Sequence, residues 1–350
     1  MALDIFKKIS QIFGYLIISI TCFSVLIRTI FFVRTKLDSI FWLITLVIIG
    51  LFLIFGLFQH AKELINPVRN NSALSAKERD AKSSTCISNG VKDKEQKSYG
   101  SKGLNNVKII LACFLGSLAT YYLSVSCGLG PFVSSGLVGI IVAKFCPKFA
   151  PCVYTASFAG MSSQNVLPTI FHSMLVGIIV GIVFIICQTV FEGFGGKLGV
   201  MAFFSGLFIS LVSKPQTELI RLPDLIQGLV IVLSCVFGSI VTCLLSMRMK
   251  AGPVMASGII TLIGGIFLPC ISPLIGQNLA SSLTAGTYAG MSSKEVIGSK
   301  LYMGLAGMVA GIILVLGVPV FYGLGGKLGA VAFLGVTTIW RLNRMNRKKN

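Results

Sequence analysis

The amino-acid sequence predicts an all-α, polytopic membrane protein of about ten transmembrane helices, an N-terminal hairpin followed by two tandem homologous repeats that each contain a re-entrant or broken segment. Three observations carry this prediction. Hydrophobic residues make up 54% of the 350-residue chain and charged residues only 12%, against roughly 25% charged in soluble domains. Several apolar runs reach the roughly 20 residues that a helix needs to cross a bilayer, and they lack the polar–apolar alternation of barrel strands. Finally, blocks of sequence recur in the same order in the second half of the chain.

Residues 1–59 form the hairpin, with spans expected at 9–27 and 39–59. The first run is long, lacks a small-residue cleavage site and is followed at once by a second, so it reads as an anchor and not as a cleaved signal. Residues 60–106 read as a charged, flexible linker without apolar periodicity. From His60 to Lys108 there are ten Lys/Arg against five Asp/Glu, which places this stretch in the cytoplasm. Residues 107–213 form membrane repeat 1, 214–224 an inter-repeat loop, 225–340 membrane repeat 2, and 341–350 a basic cytoplasmic tail. The expected location is the bacterial inner membrane, with both termini cytoplasmic.

The duplication is read directly from matched blocks. Cys113-Phe114-Leu115-Gly116-Ser117 matches Cys235-Val236-Phe237-Gly238-Ser239, and Gly130-Pro131 with Ser135-Gly136 matches Gly252-Pro253 with Ser257-Gly258, all at an offset of 122. The blocks Phe158-Ala159-Gly160-Met161-Ser162-Ser163 and Tyr288-Ala289-Gly290-Met291-Ser292-Ser293 match at an offset of 130, as do the F-x-G-x-G-G-K-L-G segments starting at Phe191 and Phe321. The second copy therefore carries eight more residues between Gly258 and Thr287. If the small, polar stretches at 149–163 and 275–293 dip in and return, each unit has four crossings and the copies are parallel; if they cross, each has five and the copies are inverted. Hydropathy favours the parallel arrangement, because these stretches are poor lipid-facing spans.

Charge and cysteine usage exclude several function classes. The net charge of +19 sits in short blocks beside apolar segments, which points to anionic lipid headgroups as partner and away from nucleic acid. The ten cysteines and two histidines show no metal-ligand spacing. Cys146 and Cys152, flanked by Pro147 and Pro151, are close enough in sequence for a disulfide but nothing forces one.

The candidate site is built from the repeated polar blocks. Ser157, Gly160, Ser162 and Ser163 in the first copy, and Thr287, Gly290, Ser292 and Ser293 in the second, supply hydroxyls and close backbone approach just before a long apolar helix. Ser162 and Ser292 stand where an N-cap belongs, and Ser292 with Glu295 fits a capping box. A helix starting inside the membrane would aim free amides at a polar or anionic solute. The bland alternative is capping and tight packing alone. Lys197 and Lys327, in the glycine-rich blocks, are expected to snorkel to headgroups from a helix-to-helix turn, with substrate contact as the sharper alternative. Leucine after each lysine departs from a phosphate-loop pattern. Gly177 with Gly181, and Gly307 with Gly311, fit close helix contact within the chain or in a homo-oligomer.

No acidic residue lies at a span centre, and Glu192 and Glu295 come nearest to the membrane body. His172 and Arg28 read as packed or snorkelling residues. These features predict a transporter or channel-like permease for a small neutral or anionic solute, with its pathway between the repeats and no cofactor or metal. A non-transporting scaffold or sensor is the alternative. An enzyme is the least favoured class, since no nucleophile with its base and no carboxylate pair can be assembled.

Overall fold

The computed structural model describes residues 2–36, 40–65, 105–213, 222–248, 252–272 and 275–349. These residues contain helices and connections and no strand. The hairpin is α1 (Ala2–Lys36) and α2 (Ile40–Ile65). Repeat 1 comprises α3 (Asn106–Tyr121), which widens into a π-turn at Tyr122–Ser126, then α4 (Pro131–Phe145), α5 (Ala150–Gly160), α6 (Ile170–Cys187) and α7 (Lys197–Ser213). Repeat 2 comprises α8 (Leu225–Arg248), α9 (Gly252–Ile271), α10 (Gly276–Gly290), α11 (Lys300–Leu316) and α12 (Lys327–Lys349). Among the described residues, six helices are long and apolar enough to cross a membrane: those at Lys8–Thr35, Leu43–Lys62, Asn106–Ser126, Ile170–Cys187, Leu225–Arg248 and Gly252–Ile271.

Several boundaries differ from the sequence reading. Helix α1 runs on to Lys36, and α2 continues through His60 to Ile65, so the first residues assigned to the linker are helical. Most of the linker, 66–104, and most of the inter-repeat loop, 214–221, lie outside the described residues. The tail is a continuation of α12. The polar stretches are the helices α5 and α10, and the eight additional residues of repeat 2 lengthen the α9–α10 hairpin relative to α4–α5. Cysteines 146 and 152 are both free, and the Cys152 thiol donates to Phe149 O at 3.1 Å.

Local chemistry explains the breaks. Gly130 takes φ +79° and hands over to Pro131 at the first position of α4, where a missing N–H costs nothing. Gly177 packs against the α3 backbone at Cys113–Phe114 and Ser117, and Gly307 packs likewise against Cys235 and Ser239 of α8. The small-residue spacing of α6 and α11 is therefore used inside the chain, holding each long helix to the first helix of its own repeat.

Two helix pairs relate the repeats to each other. Gly136 of α4 meets Gly258 and Leu262 of α9, while Gly265 meets Phe132 and Val133. As the position rises along α4 it falls along α9, so the pair is antiparallel. The same holds at the starts of α7 and α12, where Gly199 lies on Gly329, Gly196 on Phe333 and Gly326 on Phe203. The hairpin packs alongside, with Gly14 against the Ile186–Cys187 backbone of α6 and Gly56 against Thr337 of α12.

Candidate functional site

Helices α5 and α10 are short and polar because they are enclosed by protein. Every residue of α5 except Val153 is buried, so its hydroxyls are satisfied internally, as buried polar groups require. The Ser157 hydroxyl pairs with Ser135 at 3.0 Å, and Thr287 pairs with Ser257 at 2.9 Å. Tyr154 joins the two sets through a 3.0 Å bond to Ser257. Its ring lies against Gly139, where a Cβ would come within 2.6 Å. In repeat 2 the equivalent positions are both threonine, Thr261 and Thr284, so a large–small pair is exchanged for two residues of middle size.

The two serine pairs do not cap the long apolar helices. Those helices begin later, at Ile170 behind Thr169 and at Lys300 behind Ser299, whose hydroxyl accepts from Tyr302 N. Ser162 and Ser292 instead follow the C-terminal ends of α5 and α10, a site of opposite polarity to the one expected. They reach across to the other repeat. Gly325 N donates to the Ser162 hydroxyl at 2.9 Å, and Gly195 N donates to that of Ser292 at 3.0 Å. Alongside, Ser163 N donates to Gly323 O and Ser293 N to Gly193 O, each at 2.8 Å. Each repeat's serine pair thus holds the other repeat's glycine cluster. Gly160 and Gly290 permit this by lying on the backbones of Ser117 and Ser239.

The glycine clusters turn sharply, with φ of +78° and +79° at Gly193 and Gly196 and of +74° and +83° at Gly323 and Gly326. Phe191 and Phe321 also adopt left-handed backbone, at +53° and +52°, a conformation that costs a β-substituted residue about 1–3 kcal/mol. Surrounding rings hold them: His60 stacks on Phe191 at 3.8 Å between centroids, and the Arg28 guanidinium lies 5.7 Å from the Phe321 ring centre. Phe333 and Phe203 meet Phe191 and Phe321 edge-on from the opposite repeat. The role of His60 was not legible in the sequence, because its partner is 131 positions away. His172, by contrast, pairs with its near neighbour Thr169.

Lys197 and Lys327 do not snorkel. They are 7% and 8% exposed. Lys197 Nζ donates to Gln188 O at 2.8 Å, just past α6, while Lys327 Nζ donates to Gly317 O and Val318 O at 2.7 and 2.8 Å, just past α11. Each lysine ties the end of a long helix to the start of the next.

Two cavities flank the centre. The first, about 390 Å³, is lined by Gly193–Leu198 of repeat 1 and by Ser246, Pro253 and Met291–Ser293 of repeat 2. The second, about 300 Å³, exchanges the roles, with Gly323–Leu328 of repeat 2 facing Ser124, Pro131 and Met161–Ser163 of repeat 1. Phe158 and Tyr288 line both. Their rings lie 4.3 Å apart between centroids at a 36° tilt, each about 1% exposed, where the two spaces approach each other. Pro253 begins α9 and Pro131 begins α4. Because those helices are antiparallel, the cavities lie toward opposite ends of the pair.

Of the ten residues expected at the site, Gly160, Ser157, Gly290 and Thr287 are structural members of the buried core around the cavities. Ser162, Ser163, Ser292, Ser293, Lys197 and Lys327 line the cavities themselves. The first cavity also carries Gln188, Glu192 and Glu295, with both carboxylates exposed. Glu295 lies between α10 and α11, where a hydrogen bond from Ser293 holds its carboxyl below the usual range. Among the described residues no group of three or more His, Cys, Asp or Glu side chains could hold a metal ion. Comparisons with protein-family models, curated proteins and solved structures give no match to this chain.

Proposed function

We propose that this chain is an integral-membrane transporter or permease in which two inverted five-helix repeats enclose a pathway for a small solute. The observation that carries the reading is the pair of equivalent cavities that approach each other at Phe158 and Tyr288. Two vestibules that point toward opposite ends of the helix bundle, with one aromatic barrier between them, suit alternating access around a fixed centre. The antiparallel crossings of α4 with α9 and of α7 with α12 favour inverted over parallel repeats, because transmembrane helices related by an axis along the membrane normal would run the same way. Buried α5 and α10 then serve as crossings despite their polarity, as protein-enclosed segments can. With the hairpin added, the expected number of crossings is about twelve.

Among the described residues, the buried groups around Phe158 and Tyr288 are hydroxyls, backbone groups and the lysines Lys197 and Lys327, while Glu192 and Glu295 are exposed at the first cavity, which supports a neutral or anionic solute as the favoured class. The test is flux through proteoliposomes containing the purified full chain, using labelled small neutral and anionic solutes. Saturable uptake above that of empty liposomes is the expected result. Purification in a stable complex with another protein, together with absence of flux for every solute tried, would replace the reading with a scaffold.

A further inference from the structure

The two cavities differ in charge, and the difference falls at equivalent positions. Glu192 on the first cavity corresponds to Tyr322 on the second, and Gln188 to Val318. The second cavity is lined by Gln277, Asn278, Ser281 and Tyr322 and by no carboxylate. Yet it contains Lys327, which is more than nine-tenths buried and has no ion-pair partner among the described residues.

The local charge can be summed. The carbonyl end of α11, which the ammonium caps, contributes about half a negative charge, and the amide end of α12 about half a positive one. These offset each other, so Lys327 in its protonated form leaves a net of about one positive charge beside the cavity. The first intrahelical bond of α12 is Ala330 N to Gly326 O; Lys327 and Leu328, two residues that line the cavity, precede it, and the first amides of a helix have no partner within it. A buried cation without a counter-charge is unfavourable in a low-dielectric interior, and an arriving anion supplies what is missing. The first cavity has the same lysine, but Glu192 and Glu295 at its mouth oppose an anion.

We propose that the cavity beside Lys327 is a binding site for a small inorganic or carboxylate anion, held by the Lys327 ammonium and the first amides of α12. This deepens the transporter reading, with which it shares the cavity, by naming the solute class. The asymmetry assigns direction as well: an anion is held more tightly in the second cavity than in the first.

Replacing Lys327 would also free the end of α11, so the test is made at Tyr322, which is 50% exposed. The full chain in lipid nanodiscs is titrated calorimetrically with sodium nitrate, sodium sulfate and sodium acetate, with glycerol and urea as neutral probes and a sodium HEPES buffer, whose bulky sulfonate is neither a small inorganic ion nor a carboxylate, to hold ionic strength constant. At least one of the three anions binds the natural chain. Tyr322→Glu, which copies repeat 1, weakens that binding by about tenfold or more, since a like charge faces the anion; Tyr322→Gln stays within about twofold, having added no charge. Absence of binding by all three anions, or equal affinities of the Glu and Gln variants, overturns the proposal. Flux in proteoliposomes separates the two claims. Anion binding without flux retains the site and removes the transporter, whereas flux of a neutral solute without anion binding does the reverse.

Discussion

At Ser162 one hydroxyl does two things: it donates to Ala159 O at 2.8 Å and accepts from Gly325 N at 2.9 Å. The residue is 2% exposed, so alanine there would leave the Gly325 amide buried without an acceptor. The expected loss is about 1–3 kcal/mol of stability, read as a lower melting temperature of the purified chain in detergent. Ser292→Ala should cost less, because Ser292 is only partly buried and water can replace the hydroxyl. Glycine 199 allows no such relief. A Cβ there would meet the Gly329 backbone, which cannot turn aside, and Gly199→Val is expected to prevent recovery of a monodisperse protein. The repetition of both serine and glycine blocks was plain in the sequence. Which block touched which was not, since spacing within one copy says nothing about partners in the other. Serine before an apolar run also has two meanings, N-cap and cross-repeat acceptor, and only the position of the helix start at Ile170 separates them.

Among the elements, α5 and α10 were the hardest to place from hydropathy and are the most informative once placed. Their polarity is a measure of enclosure: Ser157, Thr155, Thr284 and Thr287 are all at most 1% exposed and all hydrogen-bonded. The apolar helices α1, α2, α6, α8 and α9 were legible by length and composition, because lipid imposes both. Phe158 and Tyr288 stand on α5 and α10 where the two cavities approach each other. If the chain is the transporter proposed above, truncating both to alanine opens the barrier, so the double variant is expected to show faster, poorly saturable solute leak in proteoliposomes, with melting lowered by the lost ring contact. Leak equal to the natural chain would remove the pair from the pathway. The hairpin makes a separate prediction. Gly56 lies on Thr337 of α12, with a Cβ approach of 2.9 Å, so Gly56→Leu should force α2 away and cost about 1–3 kcal/mol. Thermal melting measures that loss, and it should leave the sidedness of the repeats unchanged.

For the molecule as a whole, the decisive quantity is the sidedness of equivalent positions. Exposed Cys146 follows α4, and exposed Cys270 lies near the end of α9. Beyond the crossing at Gly136 and Gly258, α4 continues for about 14 Å and α9 for about 20 Å, at 1.5 Å per residue. Inverted repeats place these two thiols on opposite faces of the membrane, and parallel repeats place them on one. Chains retaining a single cysteine at either position, labelled with an impermeant maleimide in intact cells, distinguish the two arrangements. In the sequence the loop charges discriminate little between the two arrangements, and hydropathy leans toward parallel copies. The antiparallel crossing at Gly136 and Gly258 supplies the argument that hydropathy lacked.

The exchange of contacts between serine pairs and glycine clusters has a consequence for biosynthesis. When repeat 1 has been inserted, the Ser162 hydroxyl and the Ser163 amide lack their cross-repeat partners until Gly323 and Gly325 are made, more than 150 residues later, and the repeat 1 glycine cluster waits for Ser292 and Ser293. Neither half is a finished folding unit, so a ribosome-bound intermediate carries open polar backbone into the bilayer until the last helices arrive. A chain cut within 214–221 should therefore yield two fragments that are each degraded when made alone and recovered together when made in the same cell.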